Sequence, residues 1–506
     1  MEQTDTPPPA EGAEETGRRR RWLWARPPVS GLLAITMAAM AFTMLVLQTT
    51  LGGFRVDGPA PPRPAPPTEW SPPGDPVRIM VCGDSRVQGS TGDYTWRYWL
   101  WEHLTEHAGV AVDFVGPRND LFDPVVDRPG DHRYAADFDT DHAGVWGATA
   151  AEVAERIGRE VVDADPHYLL LLVGVNDIVR GASTAEVLDR TRGIVAAARL
   201  AKGDIRIVLG EIPPVWGTEN DRAANTVIHS YNTALPTLAE QLTTANSPVV
   251  VARTAADYAP ADDNWDAVHP NTRGELKIAA AFADALARPL NLGAPYPRPL
   301  PEVTVGPTAA PEDVRAERTA EGVHVYWEDV EGATHYEVFQ RRVSPDPDEQ
   351  TSLGVVAATA EETETYEVTG LFAGAVYEFA VRALKGDDPG PLSASVQLEL
   401  DDDPPPAPEG LRIVAGVLTW EAAPGATHYA VWRRQLKCSG AAGDQCAPAD
   451  SAEVSADTGW ETVAVVHDAT QVELGPGHEG HEFAVRAHRD YLAGGFSERI
   501  VYRASD

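Results

Sequence analysis

The sequence predicts one parallel α/β domain followed by two smaller all-β domains. Between residues 77 and 290, short apolar runs alternate with longer segments of helical periodicity. This pattern is typical of a three-layer α/β/α, flavodoxin-like domain, in which helices cover both faces of a parallel sheet. After residue 310 apolar and polar residues alternate with period two, which indicates half-buried antiparallel strands. A chain of 506 residues is also long enough for three or four domains.

The strands of the α/β domain are predicted where apolar runs are bounded by turn residues. The first is the run 79–82, which Gly83 ends. The later candidates are the segments 110–115, 168–173, 205–209 and 249–252. Three of the helices between and after them are predicted to begin at capping boxes: Thr149 with Glu152, Ser183 with Glu186, and Thr272 with Glu275.

Charge and cysteine content exclude two classes of protein. The formal net charge is −35, from 76 acidic and 41 basic residues. Nucleic acid is therefore not expected as a partner, because phosphate binding needs a basic surface. Three cysteines are too few for a disulfide-based scaffold. The acidity is interpreted as a well-solvated surface.

The amino-terminal residues indicate export or membrane attachment. Residues 1–28 are polar and predicted to form a disordered cytoplasmic tail, with arginines at positions 18–21 and 26. Residues 29–50 form an uncharged, apolar segment, predicted to be a transmembrane anchor. A cleaved export signal is the main alternative and a buried core helix a lesser one. With either an anchor or an export signal, the rest of the chain lies outside the cytoplasm, either on the cell membrane or secreted.

Proline-rich segments separate the predicted domains. Residues 51–76 are expected to form an extended spacer. The α/β domain at 77–290 is followed by a second linker at 291–309 and an all-β domain at 310–400. A short linker at 401–407 leads to the last all-β domain at 408–506.

The two all-β domains are related by an internal repeat. Ala-Thr-His-Tyr occurs at 333–336 and 426–429, and Phe-Ala-Val-Arg-Ala occurs at 379–383 and 483–487. The second copy is longer between these motifs, and the insertion includes Cys438 and Cys446. A disulfide between these cysteines would fix the loop outside the cell, with free thiols or a metal pair as alternatives.

Both copies resemble fibronectin type III domains. The resemblance depends on Trp327 and Trp420 in an early strand, on Tyr336 and Tyr429, and on the later strand that contains Tyr377 in the first copy. The second copy has His481 at the position of Tyr377, which could weaken a tyrosine-corner hydrogen bond. The aromatic residues are interpreted as core, with sugar stacking as the alternative. Such modules could also contact a cell wall or glycan.

Four short blocks in the α/β domain carry the chemistry. They are Gly83-Asp84-Ser85 after the first strand, Gly147, Gly174-Val175-Asn176-Asp177 after another strand, and Asp266-Ala267-Val268-His269 before the last helix. In this order, over residues 77–290, they resemble the SGNH (GDSL-type) hydrolases. The resemblance implies a serine esterase that needs no metal and no cofactor.

The residue types suit nucleophilic catalysis. A serine hydroxyl is a poor nucleophile near neutral pH, so Ser85 needs a base to take its proton. His269 has a suitable pKa and can pass that proton to the leaving alcohol. Asp266 lies three residues earlier, a spacing that lets its carboxylate hold the other ring nitrogen. We therefore expect Ser85, His269 and Asp266 to be the catalytic residues.

The resemblance also implies an oxyanion hole formed by the backbone N–H groups of Ser85 and Gly147 and the side-chain amide of Asn176. Asp84 and Asp177 are interpreted as structural residues that bind backbone groups around their turns. Cys82 is predicted to be a buried strand residue. The histidines His107, His132 and His142 lack metal-ligand spacing and are predicted to lie on the surface.

Arg86 departs from the family pattern, which usually has an apolar residue after the serine. It could hold Asp84 or another acid near the site, contact the substrate, or lie over the first turn of the following helix. This departure concerns the choice of substrate more than the catalytic step.

Two segments indicate the substrate class. Residues 92–100 and 112–116 resemble carbohydrate esterases of the acetyl xylan esterase type, although both could simply be a core helix and strand. The expected reaction is hydrolysis of small O-acyl esters, especially acetyl esters on a glycan, through an acyl-enzyme. A lipase or general carboxylesterase is one alternative, and an inactive surface adhesion protein is another.

Overall fold

The structure is a computed structural model that describes residues 76–130, 138–217, 220–359, 361–439, 445–447 and 453–503. The predicted tail, the predicted membrane segment and the first linker up to residue 75 lie outside the described residues. Within the described ranges, none of the helices has the length and apolar character needed to cross a bilayer.

A parallel sheet forms the centre of the α/β domain. Its five main strands have the order β2-β1-β6-β7-β8, the flavodoxin-like order. The predicted fold class of this domain is therefore confirmed. The strands of the domain, including a separate β3–β4 hairpin and the short β5 that pairs with the end of β1, are β1 Val77–Gly83, β2 Val112–Phe114, β3 Leu121–Asp123, β4 Arg128–Gly130, β5 Ala143–Gly144, β6 Tyr168–Leu172, β7 Arg206–Gly210 and β8 Val249–Ala252.

Helices pack on both faces of this sheet because successive strand residues point to opposite sides. Residues such as Met80 and Leu169 pack against α3, α5 and α6, whereas Ile79 and Leu170 pack against α2 and α8. The helices are α1 Ser85–Gln88, α2 Thr95–Glu102 with a π-helical continuation at His103–His107, α3 Ala150–Ala164, α4 Val175–Val179, α5 Thr184–Ala201, α6 Asp221–Leu242, α7 Pro260–Asp263 and α8 Thr272–Ala287.

Two of the three predicted capping boxes are confirmed. Thr149 and Ser183 each cap a helix reciprocally with a glutamate three residues later. The third prediction is wrong, because Asn271 is the N-cap of α8 and its side chain accepts hydrogen bonds from the N–H groups of Arg273 and Gly274. Glu275 is buried instead of reaching back to a cap.

The chain after residue 310 forms two antiparallel sandwiches with the same strand order. In the first, β13-β10-β9 faces β12-β11-β14-β15; in the second, β17-β18-β23 faces β22-β19-β24-β25. Trp327, Trp420, Tyr336 and Tyr429 are all buried, so these aromatic residues belong to the cores. The strands are β9 Arg315–Arg318, β10 Val323–Glu328, β11 His335–Ser344, β12 Thr351–Ala357, β13 Thr363–Val368, β14 Val376–Lys385, β15 Asp388–Leu392, β16 Val396–Glu399, β17 Arg412–Val414, β18 Val417–Thr419, β19 His428–Gln435, β20 Lys437–Ser439, β21 Gln445–Ala447, β22 Glu461–His467, β23 Gln471–Glu473, β24 His481–Arg489, β25 Leu492–Phe496 and β26 Ile500–Val501, with a 3₁₀ turn at Ala456–Thr458.

The two sandwiches differ at the positions noted in the sequence. The hydroxyl of Tyr377 accepts a hydrogen bond from the N–H of Phe372 at 3.1 Å, whereas His481 contacts the carbonyl of His478 instead. In the insertion, β20 and β21 pair so that the backbone of Cys438 lies opposite that of Cys446. The disulfide itself stays a prediction.

The second linker packs against the α/β domain. Leu292 is buried, and the N–H of Tyr296 donates to the carboxylate of Asp284 on α8 at 2.8 Å. Residues 291–309 therefore connect the domains without a helix or strand of their own, yet they are held along the last helix.

Candidate active site

Ser85 follows strand β1, with Asp84 between them, at the carboxyl edge of the sheet. Asp84 is the N-cap of α1, and its Oδ1 accepts a hydrogen bond from the N–H of Arg86 at 3.0 Å. This cap fixes the turn that carries Ser85, which is the first residue of α1 and is buried. Ligands of open α/β sheets bind at this edge.

The structure brings Ser85, His269 and Asp266 together in a row. The Ser85 Oγ lies 3.0 Å from His269 Nε2, and His269 Nδ1 lies 2.7 Å from Asp266 Oδ2. The second carboxylate oxygen of Asp266 accepts hydrogen bonds from the N–H groups of Val268 and His269, at 2.8 and 2.6 Å. Asp266 therefore shapes the loop and also orients the imidazole.

Two carboxyl groups at the site have shifted pKa values in opposite directions. Burial opposes ionisation of Asp266, but the charge and hydrogen bonds of His269 outweigh it and hold the pKa of Asp266 below its usual range. Asp266 is therefore ionised near neutral pH, as an orienting group must be. Burial raises the pKa of Asp84 to about 6, against the opposing charge of Arg86.

Aromatic rings enclose the imidazole of His269. The ring of Trp146 stacks on it, with 4.2 Å between centroids, and Phe122 stacks on Trp146 at 4.5 Å. The ring of Trp265 lies nearly parallel to the imidazole at 5.3 Å. These three rings were not predicted from the sequence as part of the site. The sequence feature that could have indicated them is position, because Trp146 directly precedes Gly147 and Trp265 directly precedes Asp266.

Gly147 lies in the loop before α3 and Asn176 in the short helix α4, and a hydrogen bond joins these two segments. Asn176 Nδ2 donates to the carbonyl of Ala148 at 3.0 Å, which leaves one amide hydrogen for another acceptor. Gly147 has a φ of +74°, and a Cβ at this position would lie within 4 Å of only Arg180 Nη2. Among the described residues, no acceptor is bonded to the N–H of Ser85 or of Gly147.

Asp177 fastens the Gly147 loop to the sheet edge. One carboxylate oxygen accepts from the N–H of Ala150 at 2.8 Å, and the other accepts from Arg190 at 2.6 Å. Because Ala150 begins α3 just after Gly147, Asp177 ties the Asn176 block to the glycine block. Asp177 thus binds backbone, as predicted, but the bound N–H belongs to another segment and not to the turn of Asp177 itself.

Arg86 is buried and bonds to backbone carbonyls of two other loops. Its guanidinium donates to the carbonyl of Val268 at 2.9 Å and to that of Pro213 at 2.8 Å. Of the three roles considered for Arg86, the hydrogen bonds of its guanidinium favour none, because they go to these two carbonyls, but its charge does act on Asp84 by opposing the rise that burial causes in the pKa of that carboxyl. Arg86 therefore links the serine helix to the loop of His269.

The remaining predictions concern the burial of one cysteine and three histidines. Cys82 is buried in β1, as predicted, and burial raises the pKa of its thiol to about 12. His107 is exposed, whereas His132 lies outside the described residues. The prediction for His142 is wrong, because this residue is fully buried, accepts from the N–H of Gly144 and contacts the carbonyl of Asp120 at 2.8 Å.

Side chains of the segment 92–100 form hydrogen bonds with the backbone of α1, the helix that begins at Ser85. Trp96 donates to the carbonyl of Arg86 at 2.7 Å, and Arg97 donates to the carbonyls of Val87 and Gln88 at 2.8 and 3.0 Å. Both side chains are fully buried. The segment therefore contributes a buried core helix, which is one of the two interpretations given for it from the sequence.

Comparison with known proteins identifies two domain families. Residues 81–276 match the model of the GDSL-like Lipase/Acylhydrolase family, and residues 309–399 match that of the Fibronectin type III domain. No curated protein matches the chain.

Several solved structures are similar to part of the chain. A carbohydrate esterase family 3 structure from Talaromyces cellulolyticus has 31% identity and a TM-score of 0.35, covering 41% of this chain and 94% of the other. A family 3 carbohydrate esterase from Clostridium thermocellum has 22% identity and a TM-score of 0.35, with coverages of 42% and 97%. An acetylxylan esterase from Geobacillus stearothermophilus has 18% identity and a TM-score of 0.30, with coverages of 41% and 92%.

Proposed function

Because its α/β domain belongs to the GDSL-like lipase/acylhydrolase family, this chain is an ester hydrolase, and we propose that Ser85, His269 and Asp266 carry the reaction. The observation that supports this most directly is the row of hydrogen bonds from Ser85 Oγ to His269 Nε2 and from His269 Nδ1 to Asp266. The proposed reaction removes a small O-acyl group, an acetyl group above all, from a glycan.

The proposed mechanism has two halves. In the first, His269 Nε2 takes the Ser85 proton while Oγ attacks the ester carbonyl, and the protonated imidazole then gives that proton to the leaving alcohol. In the second, His269 takes a proton from water, the resulting nucleophile attacks the acyl-enzyme, and Ser85 regains its proton as the carboxylic acid leaves. Asp266 stabilises the imidazolium in both halves because it stays ionised.

The oxyanion formed in each half needs fixed donors. The N–H groups of Ser85 and Gly147 and the remaining amide hydrogen of Asn176 are the proposed donors. Asn176 is already oriented by its bond to the Ala148 carbonyl, so little reorganisation is needed when charge develops.

A sugar ester suits the surroundings of the proposed nucleophile. Trp146 and Phe122 are half-buried, and because Trp146 is already stacked on both His269 and Phe122, these rings form an apolar wall next to the nucleophile. Arg180 is exposed, and it donates to the Gly147 carbonyl at 2.9 Å, so the rim of the site also carries a polar group. The resemblance of residues 92–100 and 112–116 to acetyl xylan esterases favours an acetyl group.

The test is an ester panel on the purified full chain. We expect turnover of nitrophenyl acetate and acetylated xylo-oligosaccharides to exceed that of long-chain acyl esters. Ser85→Ala is expected to lower kcat by roughly 10³-fold or more, because the nucleophile is lost. Ser230→Ala, at an exposed serine on α6, is the matched control and is expected to leave kcat unchanged.

Two outcomes would contradict the proposal. Preference for long acyl chains would favour the lipase alternative. A folded chain without ester turnover, or a Ser85→Ala variant as active as its control, would favour a binding protein.

We also propose that the segment 29–50 anchors the chain in the cell membrane with residues 77–506 outside the cytoplasm. Its lack of charge, its length and the arginines before it support this orientation. Protease treatment of intact cells is expected to degrade the esterase while the membrane fraction retains the amino terminus. Release into the medium would indicate a cleaved signal, and complete protection from protease would refute export.

A further inference from the structure

A turn of the first fibronectin type III module lies directly against the loop that carries His269. Residues 385–388 connect β14 to β15, and we call them the docking turn. Lys385, at its start, is 4% exposed, and its Nζ bonds to Asp93 Oδ1 at 2.5 Å and to the carbonyl of Thr91 at 2.7 Å. Asp93 is itself 9% exposed. An ion pair this deeply buried holds the two domains in one arrangement, because breaking it would leave a buried charge without a partner.

The docking turn touches Trp265, which lies next to the imidazole of His269. Lys385 Nζ lies 5.3 Å from the centre of the Trp265 ring, within the range of a cation–π contact. The N–H of Asp387 donates to the carbonyl of Trp265 at 3.2 Å. The N–H of Trp265 in turn donates to the carbonyl of His269 at 3.0 Å. The chain of contacts from the module to the imidazole is therefore continuous.

Gly386 is fitted closely to this loop. It has a φ of +55°, and a Cβ on it would lie 1.6 Å from the carbonyl oxygen of Trp265. No side chain can occupy that space, so any residue other than glycine would push the turn and the loop apart.

A second bond fixes the other end of the His269 loop. Asn271 Nδ2 donates to Asp388 Oδ2 at 2.8 Å and to the carbonyl of Asp262 at 2.9 Å. Asn271 is buried and is also the N-cap of α8. The docking turn thus holds Trp265 before the catalytic loop and Asn271 after it.

We propose that the docking turn is a positioning element of the esterase site, through which the fibronectin type III module keeps His269 in reach of Ser85. This inference depends on the proposed function, since it assigns the module a part in the same reaction. Lys385, Gly386 and Asp388 act through Trp265 and Asn271 and do not touch the reacting atoms. The module is in this case a part of the catalytic unit and not only a spacer.

The test compares substitutions in the full chain. We expect Gly386→Ala and Asp388→Ala to lower kcat on nitrophenyl acetate by about tenfold or more, because a displacement near 1 Å at a reacting group can cost up to about 10²-fold. KM is expected to stay within about twofold, since the groups that bind a small ester are unchanged. Asp388→Asn is expected to keep most of kcat, because its side-chain carbonyl can still accept from Asn271.

Gly370→Ala is the matched control. Gly370 lies in the same module with a similar φ of +74°, but a Cβ there would meet nothing within 4 Å. Gly370→Ala therefore introduces backbone strain similar to that of Gly386→Ala, but without the clash with the carbonyl of Trp265. If Gly386→Ala and Asp388→Ala match this control in kcat, the proposal is wrong. If Gly386→Ala does not fold, the kcat values of Asp388→Ala and Asp388→Asn are compared instead. Equal kcat values in these two variants would show that the proposal is wrong.

A second readout separates this proposal from the proposed function. The Nδ1 proton of His269, bonded to Asp266, should give a low-field proton resonance that is missing in His269→Ala. We expect Gly386→Ala to shift or weaken this resonance and Gly370→Ala to leave it unchanged. A chain without ester turnover would refute the proposed function alone. An unchanged resonance in Gly386→Ala would refute the positioning role, whatever the turnover.

Discussion

The imidazole of His269 is restrained on several sides at once. Asp266 binds one ring nitrogen, Ser85 lies at the other, and Trp146 covers a face. A ring held in this way needs little reorganisation when it accepts a proton. Arg86 adds to the restraint, because it bonds to the Val268 carbonyl in the same loop.

The contact of Trp146 with the imidazole leads to the first prediction. Trp146→Ala is expected to lower kcat by up to about tenfold, since aromatic pairs contribute about 0.5–1.5 kcal/mol beyond burial. Trp146→Phe keeps a ring over the imidazole and is expected to lose less than about threefold. Steady-state kinetics on a nitrophenyl ester measure both. Equal kcat in the two variants would show that stacking does not restrain His269.

Asp84 leads to a prediction about pH. Its pKa of about 6 lies above the usual value near 4, so the folded protein holds this proton more tightly than the unfolded chain. The free energy of unfolding therefore decreases as the pH rises through this window, by about 3 kcal/mol in total. Asp84→Asn keeps an acceptor for the cap and removes the titration.

Urea unfolding at pH 4.5 and pH 7.5 tests this prediction. We expect the parent chain to lose about 2 kcal/mol more than Asp84→Asn between the two values, because most of the interval between the unfolded and folded pKa values of Asp84 lies above pH 4.5 and all other titrating groups are shared. Equal losses would mean that Asp84 titrates normally in the folded protein.

The residues proposed as catalytic could be identified in the sequence, whereas the residues that support them could not. Ser85 and His269 each lie in a short block at the end of a strand or before a helix, and the order of the blocks is visible in the chain. Trp146 and Arg86 act on His269 from positions more than 100 residues away in sequence. No local pattern indicates which loop a tryptophan or arginine will meet.

Among the elements, the amino-terminal end of α3 has the most direct link to the site. Its capping box satisfies the first backbone donors, and Asp177 binds the N–H of Ala150 from the neighbouring strand end. The box was predictable, because it depends on a local spacing of three residues. The error at Thr272 has a physical cause: Asn271, one residue earlier, can bind two backbone donors, and Glu275 faces a buried region of the domain.

Removing the Asp177 side chain tests the role of this helix end. Asp177→Ala is expected to lower the free energy of unfolding by about 2 kcal/mol, because bonds to a buried charged group are lost. It should also reduce kcat, since the Gly147 loop is no longer tied to the Asn176 block. Chemical unfolding and kinetics measure the two effects. Asp189→Ala, at an exposed position on α5, should change neither, and a kcat of Asp177→Ala equal to that control would contradict the link.

At the scale of the whole molecule, the two modules dock in the same way. The turn between β24 and β25 of the second module binds the first, where Asp490 accepts from the N–H of Ala373 at 2.9 Å and Tyr491 donates to its carbonyl at 3.1 Å. The equivalent turn of the first module, at Lys385, binds the α/β domain. Neither contact was predictable, because a turn such as Gly386-Asp387-Asp388 has the composition of a solvated loop.

The buried pair of Lys385 and Asp93 predicts joint unfolding of the α/β domain and the first module. We expect calorimetry to show one transition for both, and Lys385→Met to lower its midpoint or split it. Loss of this cation leaves the buried carboxyl group of Asp93 without its partner, a cost of about 3–5 kcal/mol. Lys277→Met, at an ion pair within the α/β domain, is the control and should leave a single transition. Two transitions in the parent chain would contradict the prediction.

The docking turn has a practical consequence for anyone who trims the chain. A fragment cut near residue 290 would expose Trp265 and Asn271 to water and leave Asp93 without its lysine. Such a fragment would show less esterase activity than the full chain, and a screen based on it would discard an active enzyme.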